Sequence, residues 1–72
     1  MSMHQFYLTR AADAEREAAA ATLANVRERH LGSAATWTGL AARQGRVDRM
    51  AAATLAAKRL AASTVAPMAA AL

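Results

Sequence analysis

The chain has 72 residues, 23 of them alanine, with no cysteine and a net charge of +4. Alanine is the strongest helix former, whereas isoleucine is absent and valine and aromatic residues are few, so the composition excludes a β-fold and predicts an all-α domain. The lack of cysteine excludes disulfides and thiolate metal sites, and His4 and His30 lie too far apart to share a zinc ion on one helix face. We therefore expect no metal and no cofactor.

Helix 1 is predicted from about residue 3 to residue 21. Ser2 and Gln5 fit a capping box, in which the serine side chain accepts a hydrogen bond from a backbone N–H of the first turn. A stripe with three- and four-residue spacing follows, made almost entirely of alanine: Tyr7, Ala11, Ala14, Ala18 and Ala21. Because these side chains are small, a second helix is able to approach closely.

The stretch ATLANVRERH, residues 21–30, predicts a connection between two helices. Thr22 and Asn25 belong to the residue types that favour helix ends, and Asn25 with Glu28 resembles a second capping box. We place the turn at residues 22–25, and so short a connection makes the two helices antiparallel neighbours. The alternative of one continuous helix over residues 3–63 stays open, because the stretch TLAN contains neither glycine nor proline.

Helix 2 is predicted over about residues 26–63. Its apolar stripe keeps a three- and four-residue spacing through Ser33, Trp37, Leu40, Gln44, Val47, Ala51 and Leu55. Gly32, Gly39 and Gly45 are either tolerated inside the helix or mark close packing, and Gly45 leaves open a break that would make three helices. Pro67, preceded by Ser63 and Thr64, predicts a helix end near residue 63. Residues 1–63 are thus expected to form a helical hairpin, and residues 64–72 a flexible C-terminal tail.

The unequal lengths of the two predicted helices indicate a binding surface. A turn centred near residue 23 brings Phe6, Tyr7 and Trp37 into one aromatic cluster and leaves helix 2 without a partner beyond about residue 43. Isolated helices are marginal in water, so this extension is expected to bind another chain, most simply a second copy that completes a helical bundle. The predicted partner interface is Trp37, Val47, Met50, Leu55 and Leu60.

The charged residues suggest a second surface but no catalysis. Arg43, Arg46 and Arg49 are candidates for contact with an anion, although so small a basic patch without a recognised motif is more typical of a solvated helix face. Glu15 and Glu17 point to different helix faces, and a two-helix unit offers no pocket to perturb them. No catalytic residue is therefore predicted, and we expect a protein that is not an enzyme.

These features predict a non-enzymatic interaction protein of the cytoplasm that self-associates or serves as an accessory or regulatory subunit of a larger protein. The alternative is a small basic nucleic-acid-associated protein that uses the Arg43, Arg46 and Arg49 face; a third reading attaches helix 2 to anionic membranes. The longest stretches without a charged residue, 30–42 and 60–72, are shorter than the roughly 20 residues that a membrane span needs.

Three stretches resemble a group of short, alanine-rich, uncharacterised helical-hairpin proteins of alphaproteobacteria. These are FYLTRAADAE at the start of helix 1, AATLANVRER at the junction, and AATWTGLAAR with its W-x-x-L-A-x-R spacing. The resemblance extends over residues 6 to about 50. It implies the hairpin fold, and it implies no activity or site residue for this chain.

Overall fold

The computed structural model describes the backbone of residues 2–71 and the side chains of residues 2–64. It contains two helices, α1 over Met3–Ala20 and α2 over Ala24–Ala71, and the described backbone has no strand. Tyr7 lies against Trp37, and Glu17 lies against His30, so the two helices run antiparallel. The predicted hairpin of a short and a long helix is confirmed, and the alternative of one continuous helix is wrong.

The start of α1 agrees with the sequence prediction. Ser2 is extended, its hydroxyl oxygen accepts a hydrogen bond from the backbone N–H of Gln5 at 3.0 Å, and its carbonyl accepts one from Phe6 N–H at 2.9 Å. The side chain thus satisfies one of the N–H groups that a helix start leaves without an intrahelical partner. α1 ends where Ala21 becomes extended, at φ −71° and ψ 132°.

The predicted start of α2 at residue 26, with Asn25 as its N-cap, is wrong. The carbonyl of Leu23 accepts a hydrogen bond from Arg27 N–H at 3.0 Å, so Leu23 occupies the N-cap position and Asn25 lies in the first turn. Because leucine has no side-chain acceptor, the turn uses another bond. Arg27 reaches back and its Nη2 donates to the carbonyl oxygen of Ala21 at 3.1 Å, at the end of α1.

α2 continues without a break through Gly45, so the suggested break into three helices is wrong. Gly45 is buried where the beginning of α1 crosses it, and a Cβ at this position would lie 3.5 Å from Nε2 of His4 and 3.3 Å from Nη1 of Arg49. The glycine therefore marks a close approach between the two helices and not a hinge. It also places the first turn of α1 level with residue 45.

The predicted end of helix 2 near residue 63 is also wrong, because α2 extends to Ala71 and includes Pro67. A proline in a helix interior removes one hydrogen bond and crowds the preceding turn, but the surrounding alanines are the best helix formers. The predicted flexibility of residues 64–72 stays a prediction. The side chains of residues 65–71 and the whole of Leu72 lie outside the described part of the chain.

The interface between α1 and α2 is built from alanine. Among residues 2–64, the buried apolar side chains are Ala11, Ala14, Ala18, Ala34 and Ala41. The α1 members belong to the predicted stripe. On α2, however, the helix buries Ala34, Ala41 and Gly45, and the larger residues of the predicted stripe lie beside this face, with Trp37, Leu40 and Gln44 half-buried. Small side chains allow the two backbones to approach, and larger ones cannot occupy the same positions.

The predicted aromatic cluster closes the open end of the hairpin. The ring of Trp37 lies 5.9 Å from that of Tyr7 in a stacked arrangement and 6.0 Å from that of Phe6 at 89°. The guanidinium carbon of Arg10 lies 5.4 Å from the centre of the Trp37 ring. Each aromatic pair contributes roughly 0.5–1.5 kcal/mol beyond the area that it buries, so this cluster supplements the small alanine interface.

Beyond Gly45, the side chains of α2 that the structure describes, from residue 46 to residue 64, are all exposed. We call residues 46–71 the overhang. The molecule is 74 Å long but only 16 by 11 Å across, and the length is that of α2. In the part of the chain that the structure describes, no helix is both long enough and apolar enough to span a membrane.

The alanine interface leads to a prediction for a matched pair of variants. Ala41→Leu places three extra carbons where the exposed fraction is 2%, so it should separate the helices and cost about 1–3 kcal/mol of unfolding free energy. Ala42→Leu adds the same atoms at an exposed position and should change stability by less than about 0.5 kcal/mol. Urea unfolding followed by circular dichroism measures both. Equal effects of the two variants would contradict this packing.

The helix starts lead to a second prediction. Ser2→Ala removes the side-chain acceptor at the N-cap of α1 and should cost about 1 kcal/mol. Asn25→Ala should change stability far less, because Asn25 lies inside the first turn of α2, where alanine is the better helix former. Thermal unfolding of the two variants distinguishes the cases; a larger loss for Asn25→Ala would restore the capping role that the sequence suggested.

Candidate interaction surface

The predicted partner-interface residues do not share one face of α2. At about 100° per residue, Val47 and Leu55 continue the stripe of Trp37, whereas Met50 and Leu60 project from other sides of the helix. Val47 and Leu55 are each about half exposed, at 51% and 49%, and Met50 and Leu60 are exposed to 71% and 70%. The structure therefore brings Trp37, Val47 and Leu55 together on one stripe and separates Met50 and Leu60 from it.

Along the hairpin, this stripe forms one wall of a groove that sequence reasoning did not identify. Near the open end, a cavity of about 230 Å³ is lined by Tyr7 of α1 and by Leu40, Arg43, Gln44 and Val47 of α2. Toward the turn, a cavity of about 100 Å³ lies between Ser33 and Trp37 of α2 and the α1 residues Arg10, Asp13, Ala14 and Glu17. Trp37 separates the two cavities, and we call them together the hairpin groove.

The end of the hairpin groove near the turn carries the carboxylates of Asp13 and Glu17 beside the guanidinium of Arg10. Asp13 forms an ion pair with Arg16, and Oε2 of Glu17 lies 3.1 Å from Nδ1 of His30. The side chain of Glu17 nevertheless stays 61% exposed, so its carboxylate remains accessible to a further cation. The carboxylates at positions 13 and 17 lie one helical turn apart on α1, and this spacing was the sequence signal for an acidic groove edge.

The three arginines proposed to contact an anion wind around α2. Three residues along a helix turn the side-chain direction by about 300°, which is about 60° short of a full turn. Arg43 and Arg49 are two such steps apart, so their side chains project in directions about 120° apart. Arg43 lines the hairpin groove, while Nη1 of Arg49 lies near Gly45 at the beginning of α1. Asp48, between them, accepts a hydrogen bond from Nε2 of Gln44 at 3.0 Å. The arginines are exposed but do not form one flat basic face.

The described surface has no candidate metal site and no enclosed ligand pocket. Within the described residues, no three His, Cys, Asp or Glu side chains lie close enough together to hold a metal ion. Both cavities are open to solvent and smaller than the 300–1,000 Å³ typical of ligand pockets. The described surface combines an apolar stripe with exposed carboxylates and exposed basic residues.

Comparison of the chain with models of protein families, with curated proteins and with solved structures found no match. The resemblance to the alphaproteobacterial helical-hairpin group stays a hypothesis that depends on the three stretches quoted for it. What is known of the surface comes from its own residues and their geometry.

The position of Arg10 over Trp37 leads to a prediction with a spectroscopic readout. Arg10→Ala removes the cation from the ring of the single tryptophan and should cost about 0.5–1 kcal/mol while shifting the Trp37 emission to longer wavelength. Arg29→Ala, at an exposed position of α2 far from that ring, is the control and should leave the emission unchanged. An unchanged emission spectrum in Arg10→Ala would show that this contact does not persist in solution.

Proposed function

We propose that the protein is a non-enzymatic helical interaction protein that self-associates through α2. The observation that carries the proposal is the course of the apolar stripe. It runs along the hairpin groove through Leu40 and Val47, and then continues through Ala51 and Leu55 into the overhang, where every described side chain is exposed. A stripe with helical spacing that nothing covers is a packing face without its partner.

The energetics support the need for a partner. In the overhang the backbone hydrogen bonds of α2 are exposed to water, and helices of this length depend on packing of one face for most of their stability. Full burial of one valine or leucine side chain contributes roughly 1.5–3 kcal/mol. Because Val47 and Leu55 are each only about half exposed in the single chain, their burial in two copies contributes about half of that amount per side chain and offsets part of the cost of association.

A second copy is the simplest partner, because closed two-fold dimers are the commonest oligomers of soluble proteins. An accessory or regulatory role on a larger protein would use the same stripe. We propose the cytoplasm as the compartment, and the absence of cysteine is compatible with its reducing conditions. Binding of nucleic acid by the exposed Arg43, Arg46 and Arg49 is the less favoured alternative, because the three side chains point in different directions.

Sedimentation equilibrium over a range of micromolar concentrations tests the proposal. The wild-type chain should form a defined dimer. Val47→Glu combined with Leu55→Glu puts charge on the stripe and should weaken association by at least about a hundredfold. The control, Ala53→Glu combined with Ala57→Glu, adds the same charges on the opposite side of the overhang and should retain the dimer, since both alanines are exposed and off the stripe.

Two outcomes contradict self-association. One is a monomer with full helicity at every concentration. The other is a dimer that the stripe and control variants weaken equally. Gel-shift assays with DNA and RNA at low salt run in parallel, where phosphate contacts are strongest. Binding there that is lost in an Arg43, Arg46 and Arg49 triple alanine variant would favour the nucleic-acid alternative instead.

A further inference from the structure

We propose that two copies pair antiparallel along the whole of α2, so that the overhang of each chain lies in the hairpin groove of the other. The inference rests on the proposed self-association and specifies its geometry. Each end of the dimer is then a bundle of three helices: α1, residues 24–45 of α2, and the partner's overhang. The two-fold axis passes near Val47, which lines the groove of its own chain and begins the overhang.

The lengths of the two parts of α2 support this arrangement. Residues 24–45, which line the hairpin, span about 33 Å, and residues 46–71 of the overhang span about 39 Å. An overhang that turns back along a second molecule therefore covers the groove from the open end to the turn. Pairing about residue 47 places Thr64, the last residue with a described side chain, level with His30 at the closed end of the partner's hairpin.

The side chains at matching levels are complementary. In this register the partner's Leu55 lies level with residue 39, between Trp37 and the cavity lined by Tyr7 and Leu40. The partner's Ala51 lies level with Arg43, where a small side chain leaves room for the arginine. The aliphatic stripe of the partner thus meets the apolar part of the open-end cavity of about 230 Å³, which Tyr7, Leu40 and Val47 line beside the polar Arg43 and Gln44.

Charge supports the same register. The partner's Lys58 lies level with residue 36, close to Trp37 and Arg10, and its long side chain reaches toward the carboxylates of Asp13 and Glu17 in the cavity that they line together with Arg10. Glu17 keeps 61% of its side chain exposed and is available to this cation. The basic overhang, with Arg46, Arg49, Lys58 and Arg59 against Asp48, is in this way placed next to α1, the helix in which acidic residues outnumber basic ones.

The competing geometry pairs the overhangs with each other, each continuing the line of the partner's α1. It would extend the face that packs on α1, which carries Asp48, Ala52 and Arg59 in the overhang and so has charge where alanine is needed. It also places Lys58 and Arg59 of both copies together at its two-fold axis, where like charges repel. The apolar stripe of Val47 and Leu55 would stay uncovered.

Because the chain contains no cysteine, single-cysteine variants of the full chain test the register directly. A disulfide needs Cα atoms about 4.4–6.8 Å apart, so Val47→Cys should cross-link two copies on mild oxidation and Arg59→Cys, which lies on the face that the overhang-only dimer uses, should not. The overhang-only dimer predicts the reverse. Circular dichroism checks that both reduced variants keep the helicity of the wild type.

A distance measurement between spin labels also distinguishes the two registers, and it does not need the labelled residues to be in contact. A spin label on Glu28→Cys, exposed and on the side of α2 away from the groove, should lie about 57 Å from its copy in the full-length pairing and about 90 Å in the overhang-only pairing. A measured distance near 90 Å, with the dimer intact, overturns this inference but leaves the proposed function standing. A monomer at all concentrations overturns both.

Charge reversal tests the contact in the groove. Lys58→Glu should weaken the dimer by about tenfold, because two like-charged contacts replace two favourable ones, and Glu17→Lys in the same chain should restore it. In the overhang-only dimer, Lys58→Glu would instead strengthen association, because it would reduce the like charge that both copies place near the two-fold axis. A strengthened dimer, or one that Glu17→Lys fails to restore, contradicts the proposed geometry.

Discussion

The two helices are held together by contacts between alanine side chains, and the rest of the molecule follows from how close this brings their backbones. Ala18 and Ala41 are each 2% exposed, and Gly45 is buried where His4 comes within contact distance. Such an interface excludes water but buries few carbon atoms. The aromatic cluster of Phe6, Tyr7 and Trp37 supplies what the alanines lack, at the end of the hairpin farthest from the turn.

Close approach through small residues also decides where the large residues are. Since leucine and tryptophan do not fit between the backbones, they lie along one side of the contact and form the hairpin groove with Tyr7 and Ala14. The groove is thus a consequence of the alanine interface. Because α2 is much longer than α1, the same stripe of α2 continues past α1 into the overhang. The molecule therefore presents a groove and also a helix long enough to occupy such a groove.

Much of this could be predicted from the residues. Ser2 marks the start of α1 because an N-cap depends only on local chemistry, and the aromatic cluster follows from two antiparallel helices and a turn near residue 23. The prediction of Asn25 as the N-cap of α2 was wrong, because the turn is stabilised by a bond between residues farther apart in sequence, from Arg27 to the carbonyl of Ala21. The groove was missed, and close packing at Gly45 was only one of the open alternatives, because a helical stripe shows which residues share a face but not which face another helix occupies.

The sequence by itself determined the helical class, the hairpin and its unequal arms, because each of these depends on composition and on spacing along one chain. Only the tertiary structure decided that Ala34, Ala41 and Gly45 form the packed face of α2 and that Trp37, Leu40 and Val47 border a groove. The physical reason is steric. Two faces of α2 have residues at helical spacing, and α1 packs on the face with the smaller side chains because the two backbones lie close together. The distance between the backbones is known only when both helices are placed.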